Sequence, residues 1–312
     1  MSCGLKKNYR YIRNVIVYGK SIALKAFLYK FIRSINRLKV KSFDSFNIKL
    51  KNKNFKTIFI IGAPRSGSTF LEQLLINAFN VSYYSNYNYA FPHLESNAID
   101  GLRHRNRVPF RSFFGHTYSF NEPNEGNEYL EHLFEIHDEV ERTAMLSKLV
   151  VRDRNLVFKN IRHSLAILDL IKKSPSIYGI ITKREIICNI QSSYQAFLKL
   201  GTYHPVPWQL STDNICDDPL IYAVRQIYFI YLNILNKIRE INSDKYLVVS
   251  YEDACDNTNK VLSQISNHFS LEPVSMFLDL TASKKINFKE SEIKIIRNEL
   301  EDLQSMHGEL II

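Results

Sequence analysis

Short apolar runs alternate along this chain with longer stretches in which apolar positions recur every three or four residues. Thr57 to Ile61, Leu156 to Asn160, Ser176 to Thr182 and Lys245 to Ser250 are brief and largely apolar, the pattern of strands buried on both faces. Val81 to Ser85 predicts one more. Helical spacing follows Thr57 to Ile61 at Phe70, Leu71, Leu74 and Leu75. It recurs from the Glu128 region towards Leu149, over His163 to Lys173, Ile186 to Leu200, Pro219 to Ile241, Val261 to Phe269 and Glu290 to Leu303. Strands alternating with helices in this way predict an α/β fold with a mainly parallel sheet flanked by helices, and ligands at the C-terminal ends of the strands.

Two stretches break the rhythm. Between Ser85 and Phe114 periodicity is weak and interrupted by Pro92, Gly101 and Pro109, yet Tyr83, Tyr84, Tyr87, Tyr89 and Phe91 argue for an ordered lid or substrate loop. Gly201 to Asp218 is a Pro-rich loop with the single tryptophan, Trp208, which suits either core packing or a platform for a sugar ring.

Charge adds a boundary that periodicity does not reveal. Of the net +10, residues 1 to 56 carry 15 Lys and Arg against Asp44 alone, so the rest of the chain is net negative. The expected division is a basic amphipathic helical arm, residues 1-54, ahead of a domain spanning 55-312. Within the arm Leu24, Phe27, Leu28, Phe31, Ile35 and Leu38 share a face opposite Lys30, Arg33 and Arg37. Residues 8-40 thus fit either an anionic membrane surface or packing on the chain's own domain. No run is long and apolar enough to span a bilayer, and lysines interrupt any signal-peptide core. A nucleic-acid partner is disfavoured because no recognition motif accompanies the basic residues. Cys3, Cys188, Cys216 and Cys255 have neither disulfide nor zinc spacing. They are expected to be reduced thiols, which places the protein in a cytoplasmic setting.

The densest chemistry lies at Gly62-Ala-Pro-Arg-Ser-Gly-Ser-Thr69. A strand meets a Gly/Pro loop and then a helix whose first N–H groups and dipole favour an oxyanion. Gly62 and Gly67 permit close approach, Ser66, Ser68 and Thr69 add hydroxyls, and Arg65 adds a planar charged fork. The Gly62-x4-Gly67-x-Thr69 spacing is nearly that of a nucleotide P-loop. Ser68 stands where the lysine should be, however, so a kinase would lack its phosphate clamp.

Pro64-Arg65-Ser66-Gly67-Ser68-Thr69 resembles the 5′-phosphosulfate loop of sulfotransferases that use 3′-phosphoadenosine 5′-phosphosulfate (PAPS) and release adenosine 3′,5′-bisphosphate (PAP), in particular the bacterial cell-surface carbohydrate type. The resemblance extends from about Phe55 to Met306 and implies a P-loop kinase-like three-layer fold. It implies cofactor contacts from Pro64, Arg65, Ser66, Gly67, Ser68 and Thr69, and a 3′-phosphate site from Arg184 and Ser192, an arginine at a strand end with a serine eight residues on. Lys159 is similar to a lysine near the sulfuryl group, and a lysine closing an apolar strand needs an anionic partner if buried. Ser283-Lys284-Lys285 matches a stretch that reaches the cofactor. Tyr251-Glu252-Asp253 matches one read here as structural. Glu122-Pro-Asn-Glu-Gly126 resembles Gly-Pro-His-Glu-Phe-Gly, with Asn124 in the usual place of histidine.

The resemblance implies sulfuryl transfer to a carbohydrate or glycolipid hydroxyl by in-line displacement. Cations on Arg65 and Lys159 serve in place of a metal ion. Glu125 is the expected general base, with His93 and His116 as alternatives. A P-loop nucleotide kinase and a non-catalytic basic adaptor remain the competing readings.

Overall fold

The computed structural model describes residues 55–91, 112, 121–151, 154–201, 218–274 and 288–310. The basic arm and the helix expected in it, His93, His116, Trp208 and the Ser283 to Lys285 stretch lie outside the described residues.

Five parallel strands form one sheet in the order β2-β3-β1-β4-β5. They are β1 (Thr57–Gly62), β2 (Ser82–Tyr83), β3 (Leu156–Lys159), β4 (Ile177–Lys183) and β5 (Tyr246–Ser250). The central strand, β1, is buried throughout, as its uninterrupted apolar run predicts. The helices in chain order are α1 (Ser68–Ala78), α2 (Asn86–Ala90), α3 (Asn127–Glu135), α4 (Glu139–Ser147), α5 (Ser164–Lys173), α6 (Ile186–Leu200), α7 (Pro219–Ile238), α8 (Tyr251–Asp256), α9 (Thr258–Phe269) and α10 (Glu290–His307). The single helix expected towards Leu149 is two, because Ile136 leaves helical geometry and Asp138 caps a new start by accepting from Glu141 N–H.

Alternate strand residues build two cores. Phe59, Ile61, Phe158 and Ile181 face α3, α5 and α7. Ile58, Ile60, Val157, Ile180 and Val249 face α1 and α9 through Leu71, Leu74, Leu75, Val261, Ile265 and Phe269. This is a three-layer arrangement, with the parallel sheet between two layers of helices. Its central strand opens directly into the glycine loop, and the two strands beside it end in Lys159 and Lys183, next to Asn160 and Arg184. Arg225 Nε pairs with Glu299 at 2.6 Å, and Tyr228 donates to the Leu303 carbonyl, which fastens α10 to α7. Among the described residues no helix is long and apolar enough to cross a membrane.

Candidate active site

The loop from Ala63 to Gly67 turns sharply, with Arg65 at φ 66° and Gly67 at φ 90°. A left-handed arginine costs about 1 kcal/mol or more, so surrounding contacts must hold it there. They are visible on the carbonyl side. Asn189 of α6 is fully buried, and with its amide oriented to satisfy both ends it donates to Pro64 O at 2.8 Å and Arg65 O at 3.1 Å. Arg184 Nη1 donates to the same Arg65 carbonyl at 3.1 Å. Ser66, also fully buried, lies 2.5 Å from Thr182 Oγ1, and Thr182 in turn donates to Ile61 O, so the Ser66 hydroxyl braces the loop against β4. No side chain caps α1, whose N-cap is Gly67, so its first-turn N–H groups meet no side-chain acceptor of that kind.

Gly67 is in tight contact as well as left-handed. A Cβ there would lie 2.2 Å from Tyr251 Cδ2. Tyr251, at the C-terminal end of β5, also supports Arg184, whose guanidinium carbon is 4.7 Å from the ring centroid. Tyr251 therefore packs against both the glycine loop and Arg184, and the signal for it is an aromatic residue at the end of a parallel strand, the place where ligands gather.

Two separated sequence features meet at Arg65. Its Nε donates to Ser192 Oγ at 3.2 Å, six residues into α6, while Arg184 from the end of β4 bonds its carbonyl. Burial first, and the Arg184 charge second, lower the Arg65 pKa to about 10, which leaves it protonated at neutral pH. Two guanidinium groups held this close repel one another, and an anion between them relieves that repulsion.

On the other side of β1, Lys159 is buried at 2% exposure, and its Nζ lies 2.6 Å from Glu125 Oε1 and donates to Thr69 Oγ1 at 2.9 Å. The anionic partner that its position demands is thus a carboxylate of this chain. Glu125 reaches it because Phe158 stacks between Phe59 and Tyr84, at centroid distances of 5.5 and 5.1 Å, and Gly126 sits directly on that ring. Asn160 donates to Glu125 O and to Asn127 Oδ1, both at 2.7 Å. Asn124, in the place where histidine is usual, donates to Asn86 Oδ1 and accepts from Gly126 N–H at 2.8 Å, which fixes the turn that presents Glu125. Glu131 of α3 faces His163 Nε2 at 3.6 Å and Arg162 at 3.9 Å.

Sequence reasoning passed over Glu72. It is buried on α1, and its Oε1 accepts from the Lys159 backbone N–H at 3.1 Å. Burial raises its pKa to about 8.

A glycine loop leaving the central strand of a parallel sheet, flanked by two guanidinium groups and a buried ammonium, makes an oxyanion-binding site. The profile of the Sulfotransferase family matches residues 57–275, more than half of the chain, and the chain belongs to that family. It is an enzyme of sulfuryl transfer.

Among solved structures it is similar to a sulfotransferase from Mycobacterium avium, at 15% identity over 82% of this chain and 69% of that one, with a TM-score of 0.48. It is similar to one from Alicyclobacillus acidocaldarius at 13% identity, covering 83% and 98% of the two chains, TM-score 0.45. A mouse sulfotransferase complexed with PAP aligns at 11% identity over 78% and 63%, TM-score 0.35. Comparison with the curated proteins gives no match.

Proposed function

We propose that this sulfotransferase takes PAPS as donor and a hydroxyl of a carbohydrate as acceptor, in a cell-surface glycan or its lipid-linked precursor, and that it needs no metal ion. The observation that carries the reading is the convergence of Arg65, Ser192 and Arg184 on one glycine loop, from segments far apart in the sequence. The residues suit the donor. Among the described residues Arg184 Nε is buried without a hydrogen-bond partner, a donor suited to an anionic group.

PAPS, when bound, supplies the sulfuryl group and leaves as PAP. Arg184 and Ser192 hold the 3′-phosphate, while Pro64 to Thr69 receive the 5′-phosphosulfate through the N-terminal end of α1. Arg65 neutralises charge that builds on the departing side and Lys159 that on the transferred sulfuryl group, together the role a divalent ion plays in phosphoryl transfer. Glu125 takes the proton of the attacking hydroxyl. Its carboxylate is kept beside Lys159 by the Asn124 turn and the Asn160 bond, and it retains contact with water at 19% side-chain exposure. Ser283, Lys284 and Lys285 complete the donor contacts, and His93 and His116 stand as second choices for the base.

The protein works in the cytoplasm, with its basic arm lying on an anionic membrane surface where lipid-linked acceptors are found. Incubation with PAPS and glycan acceptors, with and without EDTA, tests the reading. Sulfated product at equal yield in both is expected, and PAP release that EDTA abolishes would refute the metal-free mechanism. Sedimentation of the full chain with phosphatidylglycerol vesicles is expected, and its failure would remove the membrane from the account.

A further inference from the structure

Among the described residues the outer edge of β3 lacks a strand where the chemistry begins. β2 is two residues long and pairs only with Leu156 and Val157. On the inner edge Asn160 N–H still bonds Ile60 O of β1. On the outer edge the Lys159 N–H, buried, has no ladder partner, and an unmet donor there carries a substantial penalty. Glu72 supplies the partner, one turn into α1 from Thr69, with its Oε1 3.1 Å from that nitrogen. The same lysine then reaches Thr69 and Glu125 with its side chain. Lys159 is thereby held at both ends by α1, through Glu72 at the backbone and Thr69 at the ammonium.

We propose that Glu72 is a positioning residue for the donor, fixing the backbone from which Lys159 meets the transferred group. The inference rests on the PAPS reading above and deepens it.

A glutamine would satisfy the same N–H, so a carboxyl in this place brings something more, namely a titration. The charged groups facing Glu72 among the described residues are Lys159 from β3 and Glu125 from the turn ahead of α3; β1, also packed on α1, carries no titratable side chain. With a pKa of about 8, Glu72 is protonated at neutral pH and leaves the Lys159 ammonium to Glu125, Thr69 and the incoming anion. Ionisation above that pH adds a second buried carboxylate beside the lysine, which competes for its charge and repels the sulfuryl oxygens. Donor affinity should therefore fall on the alkaline side through Glu72 itself, with no change in the 3′-phosphate site.

Calorimetric titration of the full chain with PAPS and with PAP, at pH 6.5 and pH 9, tests this without an acceptor. For the wild type, PAPS binding should weaken at least fivefold between the two pH values. Glu72→Gln should bind PAPS within threefold of wild type at pH 6.5 and at least threefold more tightly than wild type at pH 9. Glu72→Leu, which leaves the Lys159 N–H unpaired, should lose at least tenfold in PAPS affinity at pH 6.5 while PAP binding changes less than threefold. Parallel pH dependence in wild type and Glu72→Gln, or full PAPS affinity in Glu72→Leu, would overturn the assignment. If Glu72→Leu does not fold, Glu72→Gln alone decides. Absence of PAP binding in the wild type would be a different result and would strike the donor reading itself.

Discussion

Replacing Lys159 by methionine probes the ion pair at the heart of the site. The ammonium is 2.6 Å from Glu125 Oε1 and 2.9 Å from Thr69 Oγ1, with the lysine side chain 3% exposed and that of Glu125 19% exposed. Removing one member of a fully buried pair costs about 3–5 kcal/mol, because the remaining charge is stranded. Glu125 keeps some access to water, so the expected loss for Lys159→Met is smaller, about 2–3 kcal/mol. Glu125→Gln should cost about 1–2 kcal/mol, since its amide oxygen still accepts from the ammonium. The double variant Lys159→Met, Glu125→Gln leaves no stranded charge, and should be more stable than Lys159→Met by about 1–2 kcal/mol. Guanidinium unfolding at pH 7, with m-values compared across the cycle, measures all three. Additive losses, with the double variant less stable than either single, would refute the claim that the two charges depend on one another. In sulfuryl transfer Lys159→Met should fall by about 10²–10³ fold, the loss typical when one charge-stabilising donor is removed.

Gly67→Ala brings its Cβ within 2.2 Å of the Tyr251 ring at φ 90°, so PAP affinity should drop more than tenfold by calorimetry, and Gly67→Ala with Tyr251→Ala should recover part of it. Glu72, raised from 4.5 to about 8, binds a proton in the folded chain that the unfolded chain has lost between those pH values. Stability should therefore fall as pH rises from about 4.5 to 8, by up to about 5 kcal/mol, and Glu72→Gln should flatten that slope in unfolding experiments at pH 5 and pH 8.5. Burial, and then the neighbouring Glu185, push the Cys188 thiol up to about 12. Mass mapping after iodoacetamide at pH 8 should find Cys188 unmodified in the folded protein and alkylated in guanidinium.

Apolar period and glycine placement made most of the fold legible. The runs at Thr57, Leu156, Ser176 and Lys245 became β1, β3, β4 and β5 within a residue or two, because strands buried on both faces must be apolar throughout. Val81 to Ser85 shortened to Ser82–Tyr83, since β2 is an edge strand whose ends are taken up by tertiary bonds. The break at Ile136 to Asp138 was hidden because both helices share one amphipathic stripe and only the Asp138 cap separates them. Of the residues around the glycine loop, Arg65, Lys159, Arg184 and Ser192 stood out in the sequence from spacing and resemblance together. Glu72, Thr182 and Asn189 were not, because each acts through a neighbour distant in sequence, and a buried polar residue inside a helical or strand pattern looks like an ordinary element position. Glu72 carried the one usable signal, a carboxylate on the strand-facing side of an apolar helix, where a charge is costly unless something pairs with it.

The measurement that bears most directly on the account is calorimetric titration of the wild type and Arg184→Ala with PAP, 5′-AMP and ATP. Micromolar binding of PAP that requires both the 3′-phosphate and Arg184 is the predicted result. Preference for ATP, or PAP binding indifferent to Arg184, would contradict it.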